Sequence, residues 1–270
     1  MPQSWPDHLF LVGCGNMAGA MLSRWLDCGM DPDHVTVMRP SGRPVAEGVR
    51  VLTTFPSVLP TGAVVLLGLK PQQLEGIAAD LSRALDRDSL LISILAGTTI
   101  PQLRDLFPMV PDIVRVMPNT PVRTGQGVCA IHADATTGQS ALSVVCDLMA
   151  PLGLVEPIAD EAQFNLVTAL SGCGPAYLFR FIDALAAAGA AWGLDETQAQ
   201  RLALATVEGA VTLATTSGEN PGILADRVAS PGGMTRSGMD VLDRPDGLTA
   251  LLVETIRTAR DRGEEMAAIR

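Results

Sequence analysis

His8-Leu9-Phe10-Leu11-Val12-Gly13-Cys14-Gly15-Asn16-Met17-Ala18 decides the fold. The apolar run His8–Val12 is the length of a buried strand. It stops on glycine and opens onto Met17–Cys28, whose apolar residues recur three and four apart, as a helix requires. A glycine-rich turn between a strand and a helix lets the backbone approach a pyrophosphate at the positive helix end. The third small position is Ala18 rather than glycine, which still permits close helix–strand packing, and Asn16 can donate or cap there. The residues alone leave two readings, a nucleotide-binding loop or a tight βα turn without a ligand.

Working outward, six more runs of strand length follow: Val35–Met38, Val64–Leu69, Leu90–Leu95, Ile113–Met117, Val128–His132 and Leu154–Ile158. Gln72–Leu85, Ile100–Phe107 and Gly138–Ala150 lie between them with helical spacing, so crossover helices and a parallel sheet are expected. Beyond Asp160 the texture changes to long Ala- and Leu-rich segments: Ala162–Leu170, Ala176–Trp192, Glu196–Thr215 and Leu248–Ile269. An α/β domain over residues 1–158 and an all-α domain over 159–270 are expected. Phe181–Trp192 is apolar nearly all round, which suits either a subunit interface or a buried central helix.

The chain has 270 residues, 47% hydrophobic and 18% charged, the balance of a packed globular protein. Its 29 acidic and 19 basic residues give a net charge of −10, which leaves no broad cationic face for a nucleic acid. No apolar run reaches the length of a membrane span, and Met1–His8 lacks the basic stretch and apolar core of a secretory signal; a cytoplasmic location is expected. Cys14, Cys28, Cys129, Cys146 and Cys173 include no CxxC pair, and His8, His34 and His132 stand apart from one another. Neither a metal site nor a histidine-based triad is expected.

Ligands of an open α/β sheet bind outside the carboxyl ends of its strands. After the second strand a cofactor lacking a 2′-phosphate would usually meet a carboxylate, whereas this chain reads Met38-Arg39-Pro40-Ser41-Gly42-Arg43. Arg39 and Arg43 can embrace a 2′-phosphate and Ser41 can hydrogen-bond it, which favours NADP(H) over NAD(H); the alternative is solvated loop arginines. The later strand ends nominate Leu69, Lys70 and Pro71, then Ala96 and Gly97, then Pro118 and Asn119, all beside the expected nicotinamide. Lys70 is the only lysine among the nineteen basic residues. In the helical half, Ser171–Tyr177 and Val228–Thr235 read as helix entrances whose glycines expose backbone N–H groups, suited to a carboxylate or to plain capped turns.

Taken in order, GCGNMA, LKPQ, RVMPNTP, SGCGPAY and SPGGMT resemble the pyrroline-5-carboxylate reductase family over nearly the whole chain. The resemblance implies a Rossmann-type doubly wound, mainly parallel N-terminal sheet and a C-terminal all-α dimerisation domain. It implies reduction of the ring C=N bond of 1-pyrroline-5-carboxylate to L-proline, with NADP(H) preferred and NAD(H) possible, in a homodimer or an oligomer of dimers. By the same resemblance Gly13, Cys14, Gly15, Asn16, Met17, Ala18, Arg39, Ser41, Lys70 and Asn119 match cofactor-side positions. Ser230, Gly232, Gly233, Met234 and Thr235 match the loop that holds the substrate carboxylate, and Thr235 is the candidate catalytic donor to the ring nitrogen. Cys173 departs from the family's SGSGPAY, where serine is usual, and a thiol donates a weaker hydrogen bond.

Two rivals remain at this level. A β-hydroxyacid dehydrogenase-like enzyme needs a base to oxidise its alcohol, typically a lysine in the second domain, and no lysine follows Lys70. A non-catalytic NADP-binding sensor is favoured if the helical half forms a closed core rather than a cleft against the sheet's ligand edge.

Overall fold

The computed structural model describes residues 5–268. Met1–Ser4, Ile269 and Arg270, which the expected domain limits and last helix include, lie outside the described residues. Eight strands form one sheet: β1 (Leu9–Val12), β2 (Val35–Met38), β3 (Arg50–Leu52), β4 (Val64–Leu67), β5 (Leu90–Ser93), β6 (Asp112–Pro118), β7 (Gly127–Ala133) and β8 (Gly153–Pro157). Their order is β3-β2-β1-β4-β5-β6-β7-β8. The order reverses between β1 and β4, which is the crevice position of a doubly wound sheet. Pairings from β3 through β6 are parallel.

The expected parallel run breaks at β7, which pairs antiparallel to β6 with Arg115 opposite His132. Only residues 119–126 join the two strands, too few for a crossover, so the chain doubles back through a 3-10 turn ending on Gly125 at φ +73°. β8 then pairs parallel to β7. β3 has no counterpart among the expected strands, being a three-residue edge strand with one exposed and two half-buried residues.

The period-two alternation of the strands splits the core into two layers. Leu9, Leu11, Val64 and Leu66 pack on one side with Met21, Leu22 and Trp25 of α1 (Asn16–Asp27). Phe10, Val12, Val65 and Leu67 pack on the other with Leu74, Ala78 and Leu81 of α2 (Leu74–Ala84) and with Ile100 and Leu103 of α3 (Ile100–Leu106). α4 (Gln139–Met149) joins the first layer through Val145, Leu148 and Met149, and Trp25 Nε1 donates to the Leu148 carbonyl at 2.8 Å. Both faces of the sheet are covered, which accounts for strands that are buried along their whole length.

α5 (Phe164–Val167) runs into a π-helical turn, Thr168–Gly172. Beyond it lie α6 (Gly174–Ala191), α7 (Glu196–Ser217), α8 (Pro221–Val228), α9 (Met234–Leu242) and α10 (Leu248–Ala268). α8 has no counterpart among the helical segments expected from the sequence. Pro221 occupies its first turn, and Asn220 Oδ1 caps it by accepting the Gly222 N–H at 2.8 Å.

Two compact units emerge, one of residues up to Gly172 together with those from Arg260 onward, the other Cys173–Ala259. Residues 159–172, read from sequence with the helical half, pack on the sheet unit: Phe164 is buried against Met117 and Ala130. In the second unit the buried core of α6 and α7 is small, Ala186, Ala199 and Ala203. Phe179, Trp192, Leu204 and Leu213 are exposed there.

Candidate functional site

A cleft of about 700 Å³ opens at the carboxyl ends of β1, β2 and β4. Its wall contains Gly13, Cys14, Gly15, Asn16 and Met17 of the glycine turn, Arg39 and Ser41 after β2, and Leu69 and Lys70 after β4. Among the described residues, two cations, Arg39 and Lys70, line it and no carboxylate does. In a chain of net charge −10 that is a locally positive recess, suited to a phosphorylated ligand.

Local backbone chemistry shapes the turn. Gly13 sits at φ +82°, where a side chain would be strained, and a Cβ there would stand 3.1 Å from the Gly68 carbonyl oxygen. Its N–H donates to the Met38 carbonyl at 2.8 Å, which ties the turn to the neighbouring strand end. Gly15 caps α1 without a side-chain hydrogen bond, and α1 carries no acidic residue in its first turn. A Cβ at Gly15 would meet nothing within 4 Å, so the backbone there borders open space at a positive helix end. Ala18 is buried and does not line the cleft; its Cβ faces Gly68, where any added Cβ would come within 2.7 Å. A small third residue is required by helix–strand contact, as the sequence suggests.

Arg39 is half-buried and its N–H donates to Leu52 of β3 at 2.9 Å, so the edge strand fixes the loop that presents it. Burial pushes the Cys14 thiol up, and the Arg39 charge partly offsets that rise. Ser41 Oγ accepts the Arg43 N–H at 3.5 Å, while Arg43 itself is exposed and outside the cleft wall. Lys70 is held by its main chain, whose N–H donates to Gln73 Oε1 at 3.1 Å. Gln73, Ile77 and Ile94 also line the cleft and were not singled out in the sequence; the signal for Gln73 was its place three residues after Lys70 in a proline-led turn.

The remaining candidates on this unit do not line the cleft. Pro71 opens the 3-10 turn after Lys70. Ala96 is exposed and Gly97 stands at φ +70°, both in the loop that leaves β5 beyond Ile94. Pro118 is buried at the end of β6. Asn119 is 6% exposed and its amide joins two segments: Oδ1 accepts the Val128 N–H at 2.8 Å and Nδ2 donates to the Ser171 carbonyl at 3.0 Å. In this geometry Asn119 braces the loop.

In the second unit, Ser230, Gly232, Gly233, Met234 and Thr235 come together at the start of α9. Gly232 has φ +75°, the Gly233 N–H donates to the Ser230 carbonyl at 3.0 Å, and Gly233 is the N-cap without a side-chain bond. Met234 is 94% exposed and Thr235 is exposed. Arg236 pairs with Asp226 of α8 at 2.7 Å, which braces the loop between α8 and α9. Cys173 caps α6 through its carbonyl, which accepts the Ala176 N–H at 3.0 Å, and burial raises the Tyr177 hydroxyl, with the Cys173 thiol adding to the effect. Among the described residues no group of three or more His, Cys, Asp or Glu side chains is placed to hold a metal ion.

Residues 161–266 match the family model described as pyrroline-5-carboxylate reductase dimerisation, and residues 9–97 match one described as NADP oxidoreductase, coenzyme F420-dependent. A pyrroline-5-carboxylate reductase of Pisum sativum is 33% identical over 264 residues, covering 96% of each chain. The solved pyrroline-5-carboxylate reductase of Coxiella burnetii is similar at TM-score 0.86 and 29% identity, over 97% of this chain and 98% of that one. That of Plasmodium falciparum, solved with NADP bound, shares the fold at TM-score 0.81 and 24% identity, over 97% and 98%.

Proposed function

Because the chain belongs to the pyrroline-5-carboxylate reductase family, we propose that it reduces the ring C=N bond of 1-pyrroline-5-carboxylate to L-proline with NADPH. The observation that carries the cofactor side is the cleft itself: a glycine turn at an uncapped helix start, flanked by Arg39, Ser41 and Lys70, with no carboxylate in its wall. Open space at Gly15 and the packing of Ala18 on Gly68 fit a dinucleotide pyrophosphate against the start of α1.

NADPH, when bound, supplies the hydride. The protein's own residues hold, orient and exclude. The N–H groups at the start of α1 would face the pyrophosphate, Arg39 and Ser41 would take the 2′-phosphate, and Leu69 and Lys70 would border the nicotinamide side from the cleft wall, with Pro71, Ala96, Gly97, Pro118 and Asn119 supporting it from outside that wall. The α9 start, with Ser230, Gly232, Gly233 and Met234, binds the substrate carboxylate through backbone N–H groups and the helix dipole. The Thr235 hydroxyl would meet the ring nitrogen, donating to the free imine and accepting from the N–H once that nitrogen is protonated.

A cyclic imine is basic enough to be protonated near neutral pH, and an iminium carbon accepts hydride without further activation. One proton from solvent and one hydride convert C=N to CH–NH. Catalysis then rests on alignment, an effect that can supply on the order of 7–11 kcal/mol. The active chain is a homodimer or an oligomer of dimers, in which one subunit's cleft works with its partner's helices; the exposed apolar faces of α6 and α7 support this. Among the described residues no helix is long and apolar enough to cross a membrane, which suits the proposed cytoplasmic location.

The test is direct. Purified protein, NADPH and 1-pyrroline-5-carboxylate are mixed while the nicotinamide absorbance is followed and proline is measured. Stoichiometric loss of NADPH with proline formation is expected. Binding without oxidation would indicate the sensor, and turnover only in the reverse sense with a hydroxyacid would indicate the alcohol dehydrogenase.

A further inference from the structure

Arg115 lies in the middle of β6 and is 4% exposed, a buried cation inside the sheet unit. Its guanidinium donates to Glu161 Oε1 at 2.7 Å and stands 4.4 Å over the Phe164 ring. His132, its cross-strand neighbour, meets the same ring edge-on, and Nδ1 donates to the Ile158 carbonyl at 2.7 Å. These contacts seat residues 158–164 on β6 and β7. The same Glu161 oxygen has a second bond that the seating does not need: it accepts the N–H of Ile100 at 2.8 Å.

Ile100 is the first residue of α3, so the Glu161 carboxylate sits at a positive helix end, where negative charge is favoured. The six residues that precede it start from Ile94, which lines the cofactor cleft and whose N–H donates to Leu67 of β4 at 3.3 Å. The intervening loop, Leu95 to Thr99, contains Gly97 at φ +70°; Leu67 of β4 holds its start, and its end is held by the Thr99–Gln102 capping box together with Glu161 on the Ile100 N–H. Gly97 and Thr99 of the loop and Arg115 and Glu161 of the ion pair border one cavity of about 180 Å³.

We propose that Glu161 is a positioning residue for the cofactor: through one oxygen shared by Arg115 and the Ile100 N–H, it anchors the far end of the loop that starts at Ile94 in the cleft wall. The proposal rests on the cofactor reading above. It predicts a defect specific to the dinucleotide, because the substrate carboxylate is assigned to a different loop.

Glu161→Ala removes the shared oxygen. The expected result is a rise in the KM for NADPH, and in its Kd by fluorescence titration, on the order of threefold to tenfold, the worth of a helix-start acceptor. The KM for the imine is unchanged. Glu161→Gln keeps an oxygen for both donors and restores NADPH affinity. Leaving Arg115 buried without its partner threatens folding, so the double variant Arg115→Met with Glu161→Ala removes both charges and is expected to fold with the same NADPH defect.

Wild-type NADPH affinity in the alanine variants overturns the proposal. So does a loss confined to kcat and thermal stability with both KM values unchanged, the mark of a merely structural pair. The titration needs no turnover. A parent protein that binds NADPH but fails to reduce the imine would refute the assigned reaction while the variants still decide the role of Glu161.

Discussion

Arg39→Ala is the sharpest test of how the cleft selects its cofactor. The 2′-phosphate that separates NADPH from NADH carries about −1.5 to −2 charges at neutral pH. A hydrogen bond to a charged group is worth about 1.5–3 kcal/mol, which is roughly 10- to 100-fold in affinity. Arg39 is half-buried at the rim of an open cleft, so solvent screening moves the expectation to the lower end, about tenfold. The loop should survive truncation, because the Arg39 contribution to β3 is its main-chain N–H bonded to Leu52 at 2.9 Å. Steady-state kinetics with each cofactor in turn should show KM for NADPH rising about tenfold and KM for NADH unchanged. Added salt should shrink the NADPH advantage of the parent and leave the variant nearly indifferent. Equal increases for both cofactors, or a parent that treats them alike, would refute the assignment of Arg39 to the phosphate.

Thr235→Ala should lower turnover by less than about 100-fold, short of the loss of a true general acid, with thermal stability unchanged because Thr235 is exposed; total inactivity in a folded variant would show that the hydroxyl does more. Gly68→Ala should cost about 1–3 kcal/mol in denaturant unfolding, and should weaken NADPH binding, because its Cβ would come within 2.7 Å of Ala18 and push α1 off β4; unaltered unfolding would contradict the packing. The Arg104 guanidinium, bonded to both carboxylate oxygens of Asp134 at 2.8 and 2.7 Å, holds that carboxyl well below the usual range. A depressed folded-state value stabilises the fold above the unfolded carboxyl pKa, near 3.9, and the contribution drains away as pH falls through the folded value. Asp134→Asn should therefore lower stability at neutral pH and converge on the parent in strong acid; a constant gap across the acid limb would sink that account. Burial pushes the Cys129 thiol up to about 12, so alkylation of the native protein should spare it while the four part-exposed cysteines, Cys14, Cys28, Cys146 and Cys173, react first; early labelling of Cys129 would contradict its burial.

What the sequence disclosed depended on whether the signal was local. The β1 run, the glycine turn and the α1 stripe are contiguous, so strand, turn and helix could be read together. The reversal at β7 was also legible in principle, since eight residues cannot carry a crossover. β3 was not: three residues at an edge, partly solvated, give no alternation to detect. The π-turn at Thr168–Gly172 has no sequence period that separates it from an α-helix, and its Ser171 carbonyl acquires a role only through Asn119, fifty-two positions earlier. The site divides the same way. Gly13–Met17, Arg39, Ser41 and Lys70 follow strand ends and were named from their neighbours, whereas Ile77, Ile94 and Glu161 matter through contacts between distant segments.

The chemistry that these residues omit is as informative as what they supply. Among the described residues the cleft wall offers no carboxylate and no histidine, and the buried His132 is committed to the Ile158 carbonyl. The one lysine lies on the rim of the cofactor cleft, which leaves the helical unit without the amine that an alcohol-oxidising relative would use as its base. Such a chain is poorly equipped to take a proton from a hydroxyl and well equipped to hold anions, through helix starts, arginines and glycine turns. A protonated ring imine asks for nothing more: its charge is already present, its carbon is already electrophilic, and the carboxylate beside it is the handle that an α9-type helix start can grip. The scarcity of acid–base groups is therefore what a hydride-accepting iminium permits, and any variant that gained activity on a hydroxyacid would have to gain a base first.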